Sequence, residues 1–536
     1  MRDWQASMFR RLSLAGATSV LLALGAVTAN AQETAFRQAI AEAASDYDSL
    51  AAHYRSARYA PIWTADTVQA RDRRAALIAA LRNAALHGLP DMTKTADTLV
   101  DQMAAVQSVA DLGRVEVALS RVFVEYANDL QSGLLVPKNI DDGIQRNAPR
   151  REKESYLAGI QAEPATDYFR GLAPEHWEYR ALMKEKLRLE AILAKGGWGA
   201  RVPVEKMEDG ATGQTVVALR DRLVRMGYLR PTASVTYDAK LRAAVMDFQR
   251  DHGLAQDGVA GEGTIGDINV PVSDRLKSVI VAMERERWMN LERGDRHILV
   301  NQTDFTAKVV DQGHVTFETR SVIGKNVHDR RSPEFSDEME HMVINPSWYV
   351  PRSIITKEYL PQLRANPSAV SYLEITDSQG RVVNRDAVDF SQYTARSFPY
   401  AMRQPPSSRN ALGLVKFMFP NKHNIYLHDT PEKHLFSRET RAYSHGCIRL
   451  AQPFEFAYTI LAAQESSPKS YFHRILDSGK ETQVNLDTHI PVHIIYRTAF
   501  TQPGQRVQFR RDVYKRDAKI WEALAERGVT LPTVQG

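Results

Sequence analysis

A chain of 536 residues with 43% hydrophobic and 25% charged side chains has the make-up of a globular protein of several domains, and excludes a collagenous, low-complexity or mainly disordered one. A formal charge of +5 is too balanced for a nucleic-acid protein, and a single cysteine excludes an internal disulfide framework.

Residues 1–31 read as a signal peptide. Arg2, Arg10 and Arg11 precede an uncharged apolar stretch, and Ala29-Asn30-Ala31 is a small-x-small cleavage site. The Arg10-Arg11 pair leaves both the general secretory and the twin-arginine routes open. The expectation is an exported, periplasmic protein with no membrane span after cleavage, since no later stretch is long and apolar enough. A slightly basic exported chain suits an anionic wall.

Residues 32–200 predict a helical domain. Ala75, Ile78, Leu81, Ala85 and Leu89 recur three or four apart, as do Leu112, Val115, Leu119, Val122 and Tyr126, the latter run stopping near Gly133. A third helix over 179–195 ends at Gly196-Gly197. Residues 213–270 predict a compact three-helix unit. Val216, Leu219, Leu223 and Met226 line one face, and Leu241, Ala244, Val245 and Phe248 line another behind an Asp238 cap. The stretch 271–295 is helical again and is expected to complete the first domain. From residue 296 to 500 the hydrophobic period falls to two, which predicts a mostly β domain. Its late strand is read over 492–496. Between residues 351 and 402 the strand rhythm lapses and 354–363 looks helical, so a helical capping insertion is expected there. Residues 501–536 are read as a C-terminal extension. The whole is a multidomain α+β protein.

The chemistry concentrates in Ser444-His445-Gly446-Cys447-Ile448-Arg449. Fifteen residues separate Ser444 from His428, which closes the run Ile425-Tyr426-Leu427-His428. A thiol is only a few per cent thiolate at neutral pH, so it needs a base, and an imidazole can hold the pair as thiolate and imidazolium. Cys447 is the candidate nucleophile and His428 the candidate base. Gly446 lets a substrate approach the backbone, and N–H groups near Gly446 and Cys447 face a developing oxyanion. His445 is open between a contact with substrate or oxyanion and a packing role, Ser444 is read in local bonding of the loop, and Arg449 offers its fork either to a substrate carboxylate or to loop carbonyls. The histidines 423, 428, 434 and 445 with Cys447 match no usual zinc spacing, so no metal and no organic cofactor are expected.

His428, fifteen residues, then Ser444 to Arg449 resembles the signature of the L,D-transpeptidase (YkuD-type) family. The three-helix unit resembles a peptidoglycan-binding domain, and the first helices resemble the scaffold domain of long family members. The resemblance implies a mostly β catalytic domain that works through a cysteine thioester on peptidoglycan stem peptides, with other wall-synthesis proteins as further partners. It also implies a lid over residues 351–402 and substrate contacts from Trp348, Tyr426, Arg403 and Asn410. Ser407 stands where members usually carry glycine, so a positive φ there would strain the loop. Cross-linking with release of D-alanine, hydrolysis by an L,D-carboxypeptidase, and a non-catalytic wall-binding scaffold are the readings left open. A papain-like peptidase is disfavoured because His428 precedes Cys447.

Overall fold

The computed structural model describes residues 31–532; all of the expected signal peptide except Ala31 lies outside them. The chain is helical up to residue 200. Its longest helix, α1 (Val109–Ser132), begins with Ser108 and Asp111 in a reciprocal capping box and stops at Gly133. Val115, Leu119, Phe123, Tyr126 and Leu130 recur at helical spacing and are buried. Glu116 on the same helix is buried as well. Its carboxylate accepts the Tyr54 hydroxyl and the backbone N–H groups of Ile62, Trp63 and Thr64, which ties the entry loop to the helix.

After α2 (Trp177–Ala194), the helices α3 (Gln214–Met226), α4 (Ala239–Asp251) and α5 (Glu262–Ile268) form a three-helix unit. Asp238 caps α4 by accepting Leu241 N–H at 2.9 Å. The next helix, α6 (Val272–Trp288), returns to the first helices and lies along α2. It is the hub of the molecule. Glu284, Arg285, Glu286 and Arg287 on it are at most 4% exposed, and each has a charged partner. Arg285 meets Asp517 at 2.9 Å and also Glu334; Glu286 meets Arg293 at 2.7 Å and also Arg497; Arg287 meets Glu284 at 2.8 Å. Buried charges survive only when paired in this way.

The strands are β1 (Arg296–Asn301), β2 (Thr306–Asp311), β3 (His314–Gly324), β4 (Phe335–Ile344), β5 (Trp348–Tyr349), β6 (Glu374–Thr376), β7 (Ala401–Gln404), β8 (Val415–Met418), β9 (Leu427–His428), β10 (Ala442–Ser444), β11 (Ile448–Leu450) and β12 (Thr482–Ile495). One sheet runs β10-β3-β11-β9-β8-β4-β12-β1-β2, and β2 pairs again with β3, which closes it into a barrel. Its core holds Ile298, Met342, Phe417, Leu427, Ile448, Phe456 and Ile494.

Three features differ from the sequence reading. The insertion is not simply helical. A short helix with one π-helical turn at Ile355–Tyr359 is joined by a separate three-stranded sheet, β5-β7-β6, over its own apolar core of Leu360, Leu363, Ile375, Phe390 and Phe398. The late strand β12 begins ten residues earlier than 492, because an irregularity between Asn485 and Ile490 interrupts its alternation. The last stretch, read only as a C-terminal extension, carries structure of its own. A hairpin of β13 (Ala499–Phe500) and β14 (Gln508–Phe509) leads to α7 (Arg516–Glu526), whose Ile520 and Leu524 join the helical core.

Candidate active site

β9 and β11 are neighbours in the barrel and run parallel, with Leu427 opposite Ile448 and His428 opposite Arg449. Side chains alternate along a strand. Leu427 and Ile448 therefore enter the core, while Tyr426, His428, Cys447 and Arg449 share the other face. That face floors a cleft of about 900 Å³, which the insertion overhangs; Trp348, Tyr349, Glu358, Tyr359 and Tyr372 line it from above.

His428 is buried, and its Nδ1–H donates to the Asp429 carbonyl at 2.5 Å. This fixes the tautomer and leaves Nε2 as the acceptor. The Asp429 carboxylate is employed elsewhere. It accepts Leu414 N–H at 2.9 Å and pairs with Lys433 at 2.5 Å, and it lies where a Cβ on Gly413 would stand. Gly413 takes φ +62°, which a larger residue would occupy only under strain and with a clash.

Cys447 is half-buried, and its Sγ–H points to the Asn424 carbonyl at 3.5 Å. Burial pushes its thiol up to about 11, against the opposing pull of the Tyr426 N–H and hydroxyl and of Arg449. Burial also carries His428 down to about 3, helped by Arg449, while the Asp429 and Leu412 carbonyls act the other way. Both groups are neutral at pH 7. An enclosed site disfavours both charges, which weighs against a standing thiolate–imidazolium pair and leaves His428 to act as a base during the reaction.

The loop before Cys447 is held from below. Ser444 Oγ donates to the Cys447 carbonyl at 2.5 Å and accepts Gly446 N–H at 3.1 Å. Ser332 Oγ donates to the Gly446 carbonyl at 2.6 Å. Gly446 takes φ +120°. Its N–H is thus engaged within the loop, unlike the free donor expected near Gly446. His445 Nε2–H donates to Glu358 of the insertion at 2.8 Å, and Arg330 donates to the same carboxylate oxygen at 2.8 Å. Arg449 lines the cleft and is paired with Glu432.

Trp348 and Tyr426 line the cleft, but two expected substrate contacts do not. Asn410 is fully buried. Its amide donates to the carbonyls of Pro346, Gln404 and Pro405, and its oxygen accepts Leu412 N–H, so it is a brace for the wall. Arg403 stands opposite Glu374 in the small sheet and pairs with it at 3.2 Å; alternation turns its neighbour Gln404 to the cleft instead. Ser407 is not among the residues with positive φ, so the loop carries no strain there. The sequence reading missed Arg330, in a loop with no pattern to mark it, and Glu358, whose helical segment gave no sign of what its carboxylate meets.

Among the described residues, one set of His and carboxylate groups has metal-like spacing: His176, Glu178 and Glu286. Arg497 pairs with both carboxylates, which leaves no room for a cation. No described helix is long and apolar enough to cross a membrane.

Three families match the chain: the L,D-transpeptidase catalytic domain over residues 295–485, the scaffold domain over 48–185, and the "Putative peptidoglycan binding domain" over 212–266. A curated relative from Haemophilus influenzae, described as "Putative L,D-transpeptidase", is 31% identical over 242 residues, which is 45% of this chain and 48% of the relative. The chain thus spans about half the length of that relative. Crystal structures of an L,D-transpeptidase from Stackebrandtia nassauensis and of one from Xylanimonas cellulosilytica are each 14% identical to this chain. The first covers 57% of this chain and 100% of its own, with a TM-score of 0.22; the second covers 55% and 98%, with a TM-score of 0.16. Likeness at that level carries no argument.

Proposed function

We propose that this chain, whose residues 295–485 are an L,D-transpeptidase catalytic domain joined to scaffold and peptidoglycan-binding domains, cross-links stem peptides outside the cytoplasmic membrane. The observation that carries the reading is the parallel register of β9 and β11, with Tyr426, His428, Cys447 and Arg449 on one face under an overhanging lid.

The reaction is acyl transfer. The Cys447 thiol turns from the Asn424 carbonyl and attacks the carbonyl carbon before the terminal D-alanine. His428 Nε2 takes its proton as the S–C bond forms, since no thiolate stands ready beforehand. Cys447 N–H and the Tyr426 hydroxyl receive the oxyanion. The C–N bond breaks, His428 returns the proton to the leaving amine, and D-alanine departs. An acceptor amine then attacks the thioester carbonyl. Its C–N bond forms, C–S breaks, and the amine's proton passes through His428 to the thiolate. The lid excludes water and so favours the amine over hydrolysis.

Disaccharide tetrapeptide incubated with the protein should yield dimer and free D-alanine by mass spectrometry. Cys447→Ala should yield neither while keeping sacculus binding. Dimers from the Cys447→Ala protein would sink the reading; tripeptide without dimer from the parent would assign water as the acceptor.

A further inference from the structure

We propose that Arg330 and His445 form a subsite for the terminal carboxylate of the substrate, occupied in this structure by the lid's own Glu358. The inference rests on the transpeptidase reading for the identity of that carboxylate, the free end of the D-residue to be released.

The geometry is that of a filled anion site. Arg330 Nη2 and His445 Nε2–H come from two different barrel loops and converge on one carboxylate oxygen, both at 2.8 Å. A carboxylate only accepts, so both nitrogens donate. Arg330, Glu358, His445 and Cys447 line one cleft, so an anion held there shares the space that would receive the substrate. Both loops are fixed. Ser332 holds Gly446, and Lys325 N–H donates to the Ser444 carbonyl at 2.8 Å. The occupant comes from elsewhere, since Glu358 sits in the π-helical turn of the insertion, and such turns concentrate at functional places.

The cleft has other cations, and each is placed differently. Arg449 is engaged by Glu432, and Lys357 by Asp329 at 2.5 Å. Arg409 is exposed on the opposite wall with no partner for its side chain among the described residues. Glu358 and Arg330 keep about a third of their side-chain surface in water, at 29% and 30% exposed. Ion pairs as open as that are weak, so an incoming carboxylate can replace Glu358. Substrate binding then releases the lid from the catalytic loop and lets it close on the peptide instead.

The test uses a tetrapeptide stem as its free acid and as its C-terminal amide. Titrated into full-length Cys447→Ala protein, the acid should bind at least fivefold more tightly than the amide. Adding Arg330→Ala should erase that preference, Arg330→Lys should restore part of it, and Arg409→Ala should leave it. In turnover, Glu358→Gln should lower KM for the acid about threefold to fivefold and KM for the amide by less. Equal binding of acid and amide, binding of neither, or an Arg330→Ala loss shared by both peptides would overturn the subsite. So would a fall in kcat at fixed KM in Glu358→Gln, which would make Glu358 a positioning residue for His445. If the parent turns over neither peptide, the transpeptidase reading fails, while the titration still decides the subsite.

Discussion

The thiol of Cys447 is held protonated by its surroundings, and its alkylation rate measures that directly. With the thiol at about 11, the thiolate fraction at pH 7 is about one in ten thousand, against a few per cent for a free cysteine. Iodoacetamide reacts with the thiolate, so the folded protein should react about two orders of magnitude more slowly than the same protein in urea. The rate should then climb about tenfold per pH unit from pH 7 to 10. Steric shielding lowers the rate equally at every pH, so the slope is the diagnostic quantity. The chain has one cysteine, so intact mass reports a single site. His428 is neutral, with its own value near 3, and does not prepare a thiolate in the resting site. His428→Ala should therefore change alkylation at pH 7 by less than twofold, yet lower turnover by about 10²–10⁴-fold, the span of a lost general base. A rate already level by pH 7, or a tenfold loss of alkylation in His428→Ala, would show a standing ion pair and refute the neutral-pair mechanism.

Asn410→Ala should lower stability by about 1–3 kcal/mol, seen as a lower melting temperature, because three carbonyls and one N–H lose a buried partner; an unchanged melting curve would return Asn410 to the candidates for substrate contact. Arg497→Ala leaves Glu178 and Glu286 buried without their shared guanidinium and should cost about 3–5 kcal/mol by urea unfolding, with the barrel and helices separating together. Acid should destabilise the chain. Burial holds His87 and His176 down to about 4 and His493 to about 3, so on acidification from pH 6.5 the unfolded chain binds protons first and gains. Asp129 and Asp517, raised to about 6, oppose this between about pH 6 and 4. His493→Gln should flatten the loss of stability between pH 6.5 and 4, and an unchanged slope would contradict the assignment.

How much of this was legible in the sequence depends on what each residue does. His428 and Cys447 were readable because their chemistry demands particular side chains, and because they stand at a fixed spacing on neighbouring strands β9 and β11. Helical faces such as Val115 to Tyr126 were readable because burial has a period. Asn410 and Arg403 were misread because a polar side chain near a cleft looks the same whether it meets a substrate or a backbone carbonyl. The insertion's strands have two to four residues, too few for alternation to show. Glu284 to Arg287 look like a solvated stretch; only Arg293 just beyond the helix and the arrival of Asp517, Glu334 and Arg497 from remote segments make their burial tolerable, and no local pattern announces that.

The same remote segments decide how the three-helix unit is carried. Its Gly227-Tyr228 and Gly253-Leu254 corners adjoin the C-terminal hairpin. Arg506 donates to the Gly227 carbonyl at 2.7 Å and lies 4.8 Å over the Tyr228 ring, and Arg510 donates to the Asp251 carbonyl at 3.0 Å. Phe509 stacks on His252 at 5.7 Å, and Arg511 pairs with Asp267 at 2.5 Å. Arg510 also reaches Asp304 beside the barrel at 2.6 Å, so one strap joins the unit to the catalytic domain. Core residues of the unit run without a break into those of the first helices. A module tethered by a flexible linker raises local concentration but leaves orientation free. Here the contacts fix orientation as well, so any ligand the unit held would meet the cleft over Cys447 from one direction.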